Sequence, residues 1–436
     1  MEIFDFNGQF FLSIALYFIN CAIAFRYLVK KSFIVLIIWP VVIYSIGPLL
    51  SQPLKLHPVL SRYVFPDQLL EESEIFSIFM ITIFIFEEKY NIGTNISRYV
   101  LSQDIFRIGA SKSILFAFYV VGTLCAALQI VLMATYGSIF SGNYVLSATT
   151  DASNGQILSW GFLAGLYELF FACTLVILIA KGEKSIISKE SFFYIFVLAL
   201  RLFGGTRLIL LKEISVIMFL MIVQKKVRPL SVVIISLGVI SIGSVIGAAR
   251  SGGEADPLGP LSSFYYETAL NALTLNIADS LSHNSAAFEH YHPIDTTLNL
   301  ALSIVPSFVR TAVTGSSEPA TIPMVLDSGF DSPSPVGGMS LFASAIYLFY
   351  NPWIGPTFFP TLLLFISKTK FNRRIKSYVM LSIITESMNM WRDPFEISFK
   401  IIVQTVIFLY FMDTNWVLLV RSLGKKRHQT TNAFTS

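Results

Sequence analysis

The sequence predicts an all-α polytopic membrane protein, and three observations lead to this fold class: composition, the length of the apolar runs and the placement of the basic residues. Hydrophobic residues make up 54% of the 436 positions and charged residues 13%. A soluble domain carries nearly twice that charged fraction, because its surface must face water. The apolar runs are long enough to cross about 30 Å of hydrocarbon as helices that rise 1.5 Å per residue.

About eleven transmembrane helices are predicted from these runs. They cover residues 9–25, 33–50, 73–86, 114–135, 157–180, 191–203, 207–224, 230–249, 337–367, 377–391 and 399–420. With an odd number of spans, the two ends of the chain lie on opposite sides of the membrane.

Basic residues are concentrated in alternate connections between the spans. The six connections that begin at Arg26 hold 22 of the 31 Lys and Arg residues. These are Arg26, Lys30, Lys31, Lys89, Arg98, Arg107, Lys112, Lys181, Lys184, Lys189, Lys225, Lys226, Arg228, Lys368, Lys370, Arg373, Arg374, Lys376, Arg421, Lys425, Lys426 and Arg427. The positive-inside rule places these connections in the cytoplasm, the N-terminus outside and the C-terminus inside.

The predicted spans divide the chain into four regions. Residues 1–249 carry the first eight helices, 250–336 form a large extracytoplasmic loop, 337–420 carry the last three helices, and 421–436 form a cytoplasmic tail. Within the loop, the pattern of residues 261–282 predicts an amphipathic interfacial helix. Residues 296–309 are apolar but too few to span, which favours a second interfacial or re-entrant helix.

Several common site types have no counterpart in the sequence. It contains no phosphate-binding P-loop, no dinucleotide-binding glycine pattern, no CxxC pair and no HExxH zinc motif. The basic residues do not gather on one face, so no nucleic-acid partner is expected. Glu254 with Asp256, or the loop histidines, are alternatives as metal ligands, but a hydrated loop accounts for them equally well. Neither a metal nor a cofactor is therefore expected.

Two breaks in the apolar pattern carry ionisable residues. Gly204 and Gly205 separate two spans between Arg201 and Arg207, and Pro394 interrupts the segment that holds Arg392, Asp393 and Glu396. Such groups at membrane depth are functional candidates by default, although an arginine near a helix end can also extend to the lipid headgroups.

Lys212 and Glu213 follow the first break, inside the next span. Neighbouring residues of a helix point about 100° apart, so these two side chains need separate partners. Structural pairing and a catalytic role both remain open for them.

Four arginines are predicted at the outer face of the membrane. Arg207, Arg250, Arg310 and Arg392 lie at outer span ends or in the large loop. The guanidinium group is permanently charged and its planar donors match phosphate oxygens. Together these residues predict a site for an anionic ligand such as a lipid-linked pyrophosphate.

Short motifs in the second half of the chain resemble the Wzy-type repeat-unit polysaccharide polymerase family, in particular its enterobacterial common antigen branch. The motifs are Gly204-Gly205-Thr206-Arg207, Ile304-Val305-Pro306-Ser307-Phe308, Gly337-Gly338-Met339-Ser340, and Arg392-Asp393 with Glu396. Their order and spacing match mainly over residues 200–400. The family's basic residue beside a proline is absent after Pro306, where Arg310 stands instead.

The resemblance implies a GT-C-like glycosyltransferase of the bacterial cytoplasmic (inner) membrane. Its substrates would be oligosaccharides linked to undecaprenyl pyrophosphate, with membrane lipid around them and a chain-length regulator protein as a further candidate partner. Arg207, Arg250 and Arg392 would bind the pyrophosphate, and Asp393, Glu396 or Glu267 would accept the proton of the acceptor hydroxyl. The alternatives are an O-antigen ligase and a flippase or other transporter.

The topology predicts how engineered cysteines react with a membrane-impermeant thiol reagent applied to intact cells. In a background without the three natural cysteines, single cysteines in residues 314–335 are expected to label readily. Cysteines in residues 368–376 are expected to remain unlabelled until the cells are opened. The reverse pattern would place the predicted site on the cytoplasmic side and contradict its assignment.

Overall fold

The computed structural model describes residues 8–46, 49, 66–136, 160–182, 188–203, 207–224, 238, 341–342, 353–391, 395 and 397–414. Helices account for 91% of these residues, and no strand occurs among them. The all-α prediction is therefore confirmed for the described part of the chain.

Most of the described helices coincide with predicted spans. In chain order they are α1 (Gly8–Val29), α2 (Ile34–Tyr44), α3 (Pro66–Tyr90), α4 (Ile92–Val100), α5 (Gln103–Gly109), α6 (Lys112–Tyr136), α7 (Trp160–Lys181), α8 (Lys189–Phe203), α9 (Arg207–Val223), α10 (Gly355–Lys368), α11 (Arg373–Glu386) and α12 (Ile397–Thr414), with a 3₁₀ turn at Asn389–Trp391 between the last two.

Three helices in the described ranges, α1, α6 and α12, are long and apolar enough to cross a membrane. They support the prediction of a membrane protein. The number of eleven spans stays a prediction, as does the division into the four regions. The span at 230–249, the loop at 250–336 and the tail at 421–436 lie outside the described residues, apart from residue 238.

The connection between the third and fourth predicted spans contains two short helices that were not predicted. In α4, Ile92, Ile96 and Val100 are buried at a spacing of four residues, which is one face of a helix. The Ser102 hydroxyl then accepts a hydrogen bond from the Ile105 amide and caps α5. These helices are too short for their periodicity to be distinctive in the sequence.

Three predicted spans have clearly different helical limits in the structure. The span 73–86 lies within the longer helix α3, Pro66–Tyr90. The helix within 337–367 begins at Gly355, after a turn at Trp353 and Ile354. Pro356 suits such a start, since the first turn of a helix needs no amide donor there. The helix within 377–391 ends at Glu386 and continues as a turn and the 3₁₀ turn.

The chain forms two compact units, and residues 1–97, 207–370 and 386–401 belong to the first unit. There α1 packs on α3, α3 packs on α10, and α2 packs on α1, α9 and the 3₁₀ turn. The core is aromatic: the rings of Phe76, Phe79, Phe342, Phe359 and Trp391 contact one another.

An ion-pair cluster at one end of the first unit shows how α1 and α3 are oriented relative to each other. Arg26 and Lys30, at and just beyond the end of α1, lie 2.8 and 2.9 Å from Oε1 of Glu88 near the end of α3. The hydrogen bond that Lys30 donates lowers the pKa of the Glu88 carboxyl. Because the two C-terminal ends meet, α1 and α3 run in the same direction, as alternate membrane spans do.

The second unit comprises residues 98–206, 371–385 and 402–436. Helices α5, α6 and α8 pack against α7, and Phe118 stacks on Phe170 with ring centroids 4.9 Å apart. At one end of this unit, the Asp413 carboxylate accepts hydrogen bonds from Arg107 at 2.7 and 2.8 Å and from the Tyr378 hydroxyl at 2.9 Å. The cluster joins the start of α11 to α5 and to the end of α12.

Gly109 is expected to tolerate no side chain, because α5 and α7 approach each other closely at this residue. A Cβ there would meet the carbonyl group of Val176 and lie 2.6 Å from the Cβ of Ala180. Gly109→Ala is expected to destabilise the protein by about 1–3 kcal/mol, the usual cost of overpacking. The measurement is the thermal unfolding midpoint in detergent.

Gly165 of α7 is the matched control, because nothing lies within 4 Å of a Cβ built there. Gly165→Ala is expected to leave the midpoint unchanged or to raise it, since alanine is favoured over glycine within a helix by about 1 kcal/mol. Equal midpoints for both variants would contradict the close approach of α5 and α7.

Candidate functional site

A lysine and a glutamate form a fully buried ion pair in the first unit. Nζ of Lys212 lies 3.4 Å from Oε1 of Glu386, and both side chains have no exposed surface. Removing two charges from water costs several kcal/mol for each ion before their attraction offsets it. A buried pair of this kind therefore needs further hydrogen bonds from the surrounding protein.

The support comes from the chain around Glu386. Lys212 lies in the second turn of the apolar helix α9, and Glu386 is the last residue of α11. The amide of Asn389 donates a hydrogen bond to Oε2 of Glu386 at 3.1 Å, so each carboxylate oxygen accepts a hydrogen bond. Lys212, Glu386 and Asn389 are called the buried ionic cluster below.

Trp391 anchors the chain two residues after this cluster. Its side chain is completely buried, and its ring lies edge to face with Phe79 and with Phe342, at centroid distances of 5.0 Å. The indole N–H donates to the Ile37 carbonyl of α2 at 3.1 Å. Pro40 lies in the same helix and has no amide N–H to donate to the carbonyl of Leu36, four residues before it.

The anchoring of Trp391 bears on a predicted site residue, Arg392, which is next in the sequence. Arg392 is bonded directly to Trp391, whose side chain is held from three directions. Trp391 is thus a fixed point of the chain immediately before the first of the predicted site residues in this segment.

Of the seven predicted site residues, the structure describes only the backbone of Arg207, which begins α9. The others, Arg250, Glu267, Arg310, Arg392, Asp393 and Glu396, lie outside the described residues. Their convergence on one ligand stays a prediction.

For Lys212, the structural pairing that the sequence left open is present, with Glu386 as a partner. Glu213 is also buried. Glu386 and Asn389 were not predicted as site residues. The only local signal for them is a run of polar residues, Glu386-Ser387 and Asn389, within an apolar segment.

Arg201 contributes to a separate polar group within the second unit. Only 2% of its surface is exposed, and its guanidinium carbon lies 4.0 Å from the centroid of the Tyr167 ring. The Tyr167 hydroxyl donates to Oε1 of Gln129 at 3.3 Å. The charge of Arg201 is therefore buried inside the protein. Of the two alternatives for this residue, extension to the lipid headgroups is wrong.

Metal ligation has no geometric support in the described ranges. No group of three His, Cys, Asp or Glu side chains comes together there. Cys21, Cys125 and Cys173 are free thiols.

Compared with models of protein families, with curated proteins and with solved structures, the chain has no significant match. The motifs and the geometry of the first unit are therefore the features that bear on its function.

Removing one partner of the buried ion pair is expected to destabilise the protein strongly. Lys212→Met removes the cation that lies against the buried Glu386 carboxylate in the described chain, and loss of one partner of a buried pair costs about 3–5 kcal/mol. The double variant Lys212→Met/Glu386→Met removes both charges and keeps the side-chain volumes close, so it is expected to recover most of the lost stability. The measurement is the thermal unfolding midpoint by size-exclusion chromatography in detergent.

Lys30 supplies the control, since it pairs with Glu88 while both side chains are partly exposed. Lys30→Met is expected to change stability by at most about 1 kcal/mol, as is usual for a surface ion pair. A Lys212→Met variant as stable as the unmodified protein would show that the pair contributes nothing to the fold.

Proposed function

We propose that this chain is a membrane glycosyltransferase that polymerises undecaprenyl-pyrophosphate-linked oligosaccharide repeat units into O-antigen or a related surface polysaccharide, without a metal ion. In this proposal eleven spans form a GT-C-like fold in the bacterial inner membrane, with the N-terminus outside and the C-terminus in the cytoplasm. The motif order along residues 200–400 and the geometry of the first unit support it.

The buried ionic cluster is the observation that carries the proposal. Arg207 precedes Lys212 by five residues of one helix, a distance of about 7.5 Å along the axis. Arg392 follows Glu386 by six residues and is preceded by the anchored Trp391. The ion pair therefore joins the two segments that carry these arginines, which are far apart in sequence.

A pair of arginines suits the chemistry of this transfer. The acceptor hydroxyl attacks the anomeric carbon of the donor glycan, and the bond from that carbon to pyrophosphate breaks. Negative charge then grows on the pyrophosphate, where Arg207, Arg392 and Arg250 stabilise it. Charge stabilisation of this kind is usually the largest contribution to an enzymatic rate. The pyrophosphate bond supplies the driving force, so ATP is not required.

Reconstitution tests the proposal directly. Purified protein in liposomes receives lipid-linked repeat units isolated from a strain that lacks it, with EDTA present throughout, and the products are resolved on a gel. A polymer ladder is expected. A ladder that requires added Mn²⁺ would contradict metal independence and favour the Glu254 and Asp256 alternative.

A deletion strain separates the competing functions. Loss of the polymer, with single repeat units still attached to the lipid A core, is expected for a polymerase. Loss of attachment itself would favour an O-antigen ligase. Repeat units that accumulate inside the cell, instead of outside, would favour a flippase or other transporter.

Arginine substitutions are expected to reduce the rate of polymerisation. Replacement of Arg207, Arg250 or Arg392 by alanine removes one charged donor and should lower the rate by about 10²–10³. Lysine retains the charge but loses the planar pair of donors, so it should restore only part of the rate. The measurements are the reconstituted rate and the amount of folded protein.

Arg373 is the control for this series, because it is largely exposed and predicted on the opposite side of the membrane. Arg373→Ala is expected to leave the polymer unchanged. Normal polymer from an alanine variant at 207, 250 or 392 would remove that residue from the site, and lysine rescue of both protein level and rate would indicate a structural role.

A further inference from the structure

Glu72 is a buried carboxyl group that the proposed site does not use. It lies in α3 with 1% of its surface exposed, and neither of its oxygens accepts a hydrogen bond from any group of the described chain. A buried polar group without a hydrogen bond typically costs about 1–3 kcal/mol, and nearly all such groups in native proteins have partners. The described chain therefore leaves both oxygens of Glu72 open to hydrogen bonds from a ligand.

Glu72 lies on the same face of α3 as two phenylalanines that pack beside residues adjoining the sequence motifs. Phe76 and Phe79 follow it at intervals of four and seven residues, which places all three on one helix face. The Phe76 ring lies 5.4 Å from that of Phe342, and the Phe79 ring lies 5.0 Å from that of Trp391. The face that begins with Glu72 thus packs on both of these aromatic residues.

Both aromatic residues adjoin sequence motifs in the chain. Phe342 follows the motif Gly337–Ser340, and Trp391 directly precedes Arg392. Glu72 is one helical turn, about 6 Å along the axis, from Phe76. It also precedes the predicted span 73–86 on its outer side, which is the side predicted for Arg392.

Glu72 and Glu386, two of the buried carboxyl groups of the first unit, differ in the hydrogen bonds that the described chain gives them. Both oxygens of Glu386 are occupied by Lys212 and Asn389, so this group is fixed. A carboxylate has about four acceptor positions in total, and those of Glu72 are unfilled by the described chain. Glu72 is therefore suited to accept hydrogen bonds from hydroxyl groups.

We infer that Glu72 binds the acceptor hydroxyl of the incoming repeat unit and takes its proton during transfer. This role rests on the proposed function, and it replaces Asp393, Glu396 and Glu267 as the base. The hydroxyl oxygen forms a bond to the anomeric carbon of the donor, and the bond from that carbon to pyrophosphate breaks. Its electron pair remains on the pyrophosphate, while the hydroxyl proton moves to Glu72 and then to water.

Labelling with dicyclohexylcarbodiimide tests the binding step without measuring catalysis. This apolar reagent modifies carboxyl groups in apolar surroundings, and mass spectrometry locates the adduct. Glu72 is expected to be modified in the free protein, with at least tenfold less adduct when purified lipid-linked repeat unit is present at saturation. Failure to modify Glu72, or modification that the repeat unit does not reduce, would overturn the inference.

Kinetics of reconstituted variants test the proton transfer. Glu72→Gln is expected to lower kcat by about 10²–10⁴, the usual contribution of a general base, and Glu72→Asp to retain part of it. The thermal midpoint of the Gln variant should not fall, whereas a structural role predicts that it does. Glu74→Gln, on the same helix but roughly 200° away, is the control and should retain full activity.

The outcomes distinguish this role from the proposed function. A full polymer ladder from both the unmodified protein and Glu72→Gln would overturn the role of Glu72 and leave the polymerase intact. No ladder from the unmodified protein would overturn the polymerase and the proton transfer with it. Protection of Glu72 by the repeat unit in that case would still establish a binding site for the glycan.

Discussion

The buried ion pair between Lys212 and Glu386 is the interaction on which the first unit depends. Neither charge can return to water, and each would be costly without the other. The pair therefore fixes α9 against Glu386, and Asn389 holds the remaining carboxylate oxygen. Because Glu386 is fixed, the 3₁₀ turn that follows it is held in one place within the first unit.

Trp391 extends this constraint to the N-terminal helices. One indole group contacts Phe79 of α3 through its ring and the Ile37 carbonyl of α2 through its N–H. Aromatic pairs of this geometry contribute about 0.5–1.5 kcal/mol beyond their buried area. A phenylalanine would keep much of the ring contact but lose the hydrogen bond to the Ile37 carbonyl, so the position uses both the ring and the N–H of tryptophan. Helices far apart in sequence are thus aligned by one side chain.

Much of the helical pattern was predictable, because membrane spans are set by the length of apolar runs. The parallel direction of α1 and α3, visible in the contacts of Arg26 and Lys30 with Glu88, agrees with the predicted alternation. The pairing of Glu386 was not predictable, since its partner lies 174 residues away and no local pattern identifies it. The same reason explains why Glu72 was overlooked: only its burial without a hydrogen-bonding partner in the described chain, which a sequence does not reveal, distinguishes it from Glu71 and Glu74.

The long separation between Lys212 and Glu386 also has a consequence for biosynthesis. Translation of the intervening 174 residues takes about 10–35 s at 5–20 residues per second. During that interval α9 has been made and Glu386 has not. A charged lysine is expensive in lipid, so the growing chain is expected to hold this helix at the insertion machinery, or to shield it with helices already made, until Glu386 is available. The packing of α9 in the first unit is thereby expected to be completed only after most of the protein has been synthesised.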